Sequence, residues 1–134
     1  MLRSKVGRRV GVGVAGLVLS TALIAPAALG HTSATPKLVG NPKAGKALFV
    51  STCGTCHILK AAKTPGTLGP NLDKVAPMLT EALIIKAIQK GGASIMTKAA
   101  IAKYTSTMPP YASLGSTVVN NIAAFVYTST HMHM

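Results

Sequence analysis

The chain has 134 residues, enough for one domain, and carries 14 Lys and Arg against two acids, a formal net charge of +12 at pH 7. With three Tyr, two Phe and no Trp, it lacks the aromatic mass for a large core of its own. Only two cysteines are present, Cys53 and Cys56.

Charge is concentrated at the start, where Arg3, Lys5, Arg8 and Arg9 precede an uncharged apolar run from Val10 to Ala25 and the small residues Ala25-Pro26-Ala27 and Ala28-Leu29-Gly30. A basic head, an apolar middle and a small-residue end predict a secretory leader over 1–30, cleaved after about 27 or 30. The run is short for a membrane span of ~20 apolar residues, so an uncleaved anchor is the competing reading. Residues 31–40 read as a polar linker. Asn41-Pro42 then predicts a helix start, with Asn as N-cap and Pro at the first helical position. The helix over Lys43 to Thr52 has Ala44, Ala47, Leu48 and Phe49 on its expected apolar side. Gly45 and Phe49 share a face, and a mid-helix Gly suits close approach by another helix.

That helix runs into Cys53-Gly54-Thr55-Cys56-His57, a C-x-x-C-H pattern. Two thiols at this spacing suit two thioether bonds to a haem, and the adjacent imidazole can reach the iron. Three other readings compete: a redox-active thiol pair, half of a zinc site, and a local disulfide. A thiol-redox fold needs strands alternating with helices, and no such run occurs. Zinc needs a further ligand, and the other histidines are only His31, His131 and His133.

A loop over Lys60 to Gly69 follows, then the turn Gly69-Pro70-Asn71-Leu72. A carbonyl at Pro70 beside the second nitrogen of a metal-bound imidazole would fix the ring, and Leu72 would pack on the ring system. Thr80 is expected to cap a helix from Glu81 to about Lys90, with Ala82, Ile84, Ile85, Ala87 and Ile88 apolar and Gly91-Gly92 as its end. The stretch 93–107 is irregular, with a short helix near Lys98 to Tyr104. Pro109-Pro110 excludes helix after Met108, leaving the thioether on a stiff extended loop as a candidate sixth ligand. Ser116 is expected to cap a last helix from Thr117 to about Thr128, with Val118, Ile122, Phe125 and Val126 on one side. The segment 131–134, His-Met-His-Met, reads as a flexible tail whose donors also suit copper.

From Asn41 to Thr130 the chain resembles a class I cytochrome c of the small bacterial kind. Gly45-x-x-x-Phe49, Cys53-x-x-Cys56-His57, Gly69-Pro70-Asn71-Leu72 and Met108-Pro109 before a helix with Phe125 occur in that family's order. The resemblance implies an all-α fold over 41–130 around one haem c, bound through Cys53 and Cys56, with His57 and Met108 as axial ligands. It further implies Pro70 as the carbonyl partner of His57, packing of Gly45 and Phe49 on Ile122 and Phe125, and Tyr111 as the aromatic after the ligand. The segment between Gly92 and Met108 departs from the smallest members by its length, and it holds Met96.

The expected function is exported, periplasmic or extracytoplasmic single-electron transfer by Fe(II)/Fe(III) cycling, without chemistry on a substrate. A haem enzyme or sensor with a labile Met108 is the alternative. Beyond Gly30 there are ten lysines, no arginine and two acids, a net of +8. Such a field steers encounter with redox proteins bearing an acidic docking surface, a donor and an acceptor such as an oxidase or reductase. Anionic membrane competes for the same charge. Nucleic acid is a poor partner for an exported protein without arginine. A monomer is expected.

Overall fold

The computed structural model describes residues 37–132. The expected leader 1–30 lies outside them, as do most of the linker and the last two residues. Five helices carry the fold: α1 (Pro42–Thr52), α2 (Leu72–Val75), α3 (Glu81–Lys90), α4 (Lys98–Ile101) and α5 (Ser116–His131). A two-residue pair, β1 (Ile58–Leu59) and β2 (Thr64–Pro65), runs antiparallel with Ile58 opposite Pro65.

Local chemistry sets the helix starts. Asn41 Oδ1 accepts the Lys43 N–H at 3.0 Å and Pro42 opens α1, while Thr80 Oγ1 accepts the Leu83 N–H in α3. Asn71 caps α2 in the same way, so the expected 69–72 turn continues as one helical turn. Ser116 does not cap α5. It is the first helical residue, and Gly115, with φ of 82°, stands at the cap without a side-chain bond.

The centre of the fold is the contact of α1 with α5, to which α3 adds a third side. Phe49 and Phe125 meet with ring centroids 5.8 Å apart and planes tilted by 58°. Gly45 makes the approach feasible: a Cβ there would land on the Asn121 carbonyl and lie 2.8 Å from Phe125 Cβ. The N–H of Asn41 donates to Asn121 Oδ1 at 2.8 Å, fastening the entry to α1 onto α5.

Seven residues of α5 are buried, Ala124 and Thr130 among them, and Val119, Ile122, Ala123 and Val126 form a stripe with Phe125 beside it. That is a three-and-four spacing, and it displaces the expected Val118 to a half-buried flank. On α1 only Gly45 and Phe49 are buried, and Ala44 and Ala47 face solvent. On α3 the buried pair is Ile84 and Ile88, with Ala82 exposed. Alanine is small enough to sit on either side of a helix, so its apolar character misplaced both faces. α5 also runs beyond the expected end, through His131.

Candidate functional site

Cys53 is the C-cap of α1, its N–H donating to the Phe49 carbonyl at 2.8 Å. The Cys53 carbonyl then accepts from the N–H groups of both Cys56 and His57, at 3.1 and 3.0 Å, coiling the C-x-x-C-H segment into a tight turn. Thr64 locks the return: its hydroxyl donates to the His57 carbonyl at 2.8 Å and accepts the Leu59 N–H at 3.1 Å. The Gly69 N–H donates to the Cys56 carbonyl at 2.8 Å and brings Pro70 alongside.

His57 is only 7% exposed. Its Nδ1 lies 2.9 Å from the Pro70 carbonyl oxygen. A carbonyl can only accept, so Nδ1 carries the proton and Nε2 is left as a free acceptor. Gly69 presses on the same ring, where a Cβ would stand 2.5 Å from Cε1 and 2.9 Å from Nδ1. The ring is therefore held by a hydrogen bond at one edge and by backbone along its side.

Met108 is fixed by its backbone. Its carbonyl accepts the Gly92 N–H at 3.3 Å, and the Tyr111 N–H donates to the Ile88 carbonyl at 2.7 Å. The stiff loop around Pro109-Pro110 is thus tied to the end of α3 on both sides of the prolines.

These groups face one cleft, divided into two cavities of about 100 and 420 Å³. Cys53, His57, Pro70 and Met108 line both. Cys56 and Tyr111 line the smaller, and Leu72 the larger. All seven residues singled out in the sequence therefore border the same space. The larger cavity is of cofactor size, and its remaining lining is mainly apolar, including Phe49, Ile84, Ile88, Ile122 and Val126.

The wall that sequence reasoning left undefined is the 92–104 segment. Met96 and Tyr104 line both cavities, joined by Ile95 and Ala100 in the larger and Ile101 in the smaller. Within this segment α4 has no extensive contact with any other element among the described residues. It faces the cleft. Its length and its methionine were the only traces of this role in the sequence.

Burial, with the neighbouring Cys56 adding to it, pushes the Cys53 thiol up to about 12. Cys53 and Cys56 are not joined in a disulfide, and no three His, Cys, Asp or Glu side chains among the described residues gather to hold a metal ion. The set instead fits a haem: two thiols at one end of a cofactor-sized apolar cleft, an imidazole with a free Nε2 inside it, and a thioether on the wall.

All ten lysines of the described residues are exposed. Both acids are engaged by backbone. Asp73 accepts the Lys60 N–H at 3.0 and 3.3 Å, and Glu81 accepts the Val39 N–H at 3.1 Å on each oxygen. Among the described residues no helix is long and apolar enough to cross a membrane.

Residues 40–126 match the family model described as cytochrome C oxidase, cbb3-type, subunit III. No curated protein and no solved structure gives a match.

Proposed function

The chain belongs to the cytochrome c family, through the domain that the cbb3-type subunit III model describes, and from that we propose that it is a single-haem electron carrier with His57 and Met108 as axial ligands. The family is one of covalent haem c and redox-protein partners, and its domains are typically extracytoplasmic. Bound between Cys53, Cys56, His57 and Met108, the group would supply one-electron Fe(II)/Fe(III) cycling.

The observation that carries this reading is the buried His57 ring. With Nδ1 bonded to the Pro70 carbonyl, its Nε2 is free in the same cleft that Met108 and both thiols border. The carbonyl bond fixes the tautomer and raises the basicity of Nε2 toward a metal. Met108, backed by Gly92, supplies a soft donor that favours the reduced iron. Leu72 lines the larger cavity and Tyr111 the smaller, where each would pack on the bound group. With His57 and Met108 both held by the iron, no coordination site would be left open for substrate, and the protein would act as a carrier rather than an enzyme.

The remaining proposals are export through the basic, apolar leader and docking on redox proteins with an acidic surface. Ten exposed lysines and two backbone-engaged acids support such docking, and anionic membrane is the competing partner. The test is the visible spectrum of the intact purified protein in both oxidation states, with its denatured mass. A haem c spectrum, a thioether-to-iron band in the oxidised state and a mass raised by one haem are expected. A five-coordinate or gas-binding resting spectrum would overturn the carrier reading in favour of a haem enzyme or sensor.

A further inference from the structure

Among the lysines and acids of the described residues, Lys103 alone lines either cavity of the cleft. Two hydroxyl donors stand near it in sequence: Thr97 lines the larger cavity and Tyr104 lines both. All three come from the stretch between Gly92 and Met108, the part of the chain that departs in length from the smallest members of the family. Local bonding sets them together. Thr97 Oγ1 accepts the Ala100 N–H at 3.2 Å and caps α4, and a hydroxyl used in that way still has its own proton to donate. Past α4 the chain goes on coiling, the Lys103 N–H donating to the Ala100 carbonyl at 3.3 Å and the Tyr104 N–H to the Ile101 carbonyl at 3.0 Å. Thr97, Ala100, Lys103 and Tyr104 therefore recur at intervals of three and four, on one face of the coil. That face borders the larger cavity.

A haem is apolar except along one edge, which carries two propionate carboxylates; the carbons that form thioethers lie toward the opposite edge. A carboxylate at the border of an apolar cleft costs free energy unless it is paired or hydrogen-bonded. The lining of the larger cavity is mainly apolar, and Lys103 with the two hydroxyls offers three donors there and no carboxylate to repel an anion. Thr97 and Lys103 share no cavity with Cys56, which lines only the smaller one. Lys103 is exposed and Tyr104 half-buried, so the donors stand where the cleft meets water, as a charged edge needs.

We propose that Lys103, with the Tyr104 and Thr97 hydroxyls, binds the carboxylate edge of the haem and raises its reduction potential. The inference rests on the single-haem reading. A bare carboxylate favours Fe(III), which carries one more positive charge than Fe(II); the Lys103 ammonium offsets the carboxylate and moves the balance back toward Fe(II). No covalent bond forms or breaks. Lys103 acts through the carboxylate and is a positioning residue.

The experiment is a redox titration of the intact haem-loaded protein at fixed pH and low salt, with resonance Raman spectra of the propionate bending modes. In Lys103→Gln the ratio of oxidised to reduced haem at a fixed applied potential should rise about two- to fivefold, the scale of one exposed ion pair. Lys103→Glu should raise it further, and Lys103→Arg should restore the wild-type ratio. Tyr104→Phe keeps the ring and removes only the hydroxyl; it should raise the ratio and, like Lys103→Gln, shift the propionate modes. Lys98→Gln removes the same charge from α4 at an exposed position that borders neither cavity, and should leave ratio and modes unchanged. Equal changes of ratio in Lys103→Gln and Lys98→Gln, or unmoved propionate modes in haem-loaded Lys103→Gln, would overturn the carboxylate site and leave the carrier reading standing. A wild-type protein without covalent haem would overturn the carrier reading, and the site with it.

Discussion

Gly45→Ala sets two physical effects against each other with opposite signs. In an exposed helix the change stabilises by ~1 kcal/mol, the propensity difference between Gly and Ala. Here the new Cβ would land on the Asn121 carbonyl and come to 2.8 Å from Phe125 Cβ. Neither neighbour is the free end of a flexible side chain, so relief requires α1 and α5 to move apart, loosening the Phe49–Phe125 contact. Overpacking of this kind costs typically ~1–3 kcal/mol, and backbone contact puts the site near the top of that range. Subtracting the propensity gain leaves a net loss of about 2 kcal/mol. For a domain of this size the melting temperature should fall by about 8–16 °C, at ~4–8 °C per kcal/mol. Thermal unfolding of the haem-loaded protein by far-ultraviolet circular dichroism measures it. Ala44→Gly, at an exposed position of the same helix, is the control and should cost only ~1 kcal/mol. A Gly45→Ala variant that melts at or above the wild-type temperature would show that α1 and α5 are not in close contact at this point.

Replacing Met108 by Ala should abolish the thioether-to-iron absorption band and lower the reduction potential, whereas Met96→Ala should do neither; the reverse pattern would transfer the ligand role to Met96. Substituting both Cys53 and Cys56 with Ala should remove covalent haem, read as haem that no longer migrates with the denatured chain. Lys63 is the one described non-glycine residue with positive φ, at 56°; Lys63→Gly should relieve that strain and raise stability by about 0.5–1 kcal/mol, and a lowered denaturant midpoint would contradict it. Electron transfer to an acidic partner should slow steeply as salt rises, since the field is screened to ~10 Å at 0.1 M. Lys60→Glu with Lys63→Glu should reduce the low-salt rate more than Lys86→Glu with Lys90→Glu, and equal losses in stopped-flow kinetics would leave only net charge.

Much of this arrangement was legible because it rests on residues with few alternatives. Asn41-Pro42 and Thr80 mark helix starts through specific side-chain chemistry, and both helices begin there. Pro70 was expected beside the His57 ring, and its carbonyl lies 2.9 Å from Nδ1. Where a residue suits several environments, the reading failed. Ala44, Ala47 and Ala82 are apolar yet cheap to expose, and Val118 and Val119 are adjacent and alike, so only packing decides which is buried. The β1–β2 pair is two residues long on each side, too short for an alternating pattern. The 92–104 wall has no periodicity because it faces a cleft rather than a helix.

The clasp between the beginning and the end of the domain has a kinetic consequence. The Asn41 N–H bonds to an asparagine 80 residues further on, and Phe49 finds its aromatic partner only in α5. Closing a loop of that length costs about 4 kcal/mol in chain entropy, from (3/2)RT ln n, before any of these contacts forms. Topologies dominated by such distant pairings are slow to complete. Until α5 arrives, Phe49 has no aromatic partner and Gly45 no helix to lie against. The order of events is therefore written into the topology: the first helix is made early, and its core face is completed only when the last helix joins it.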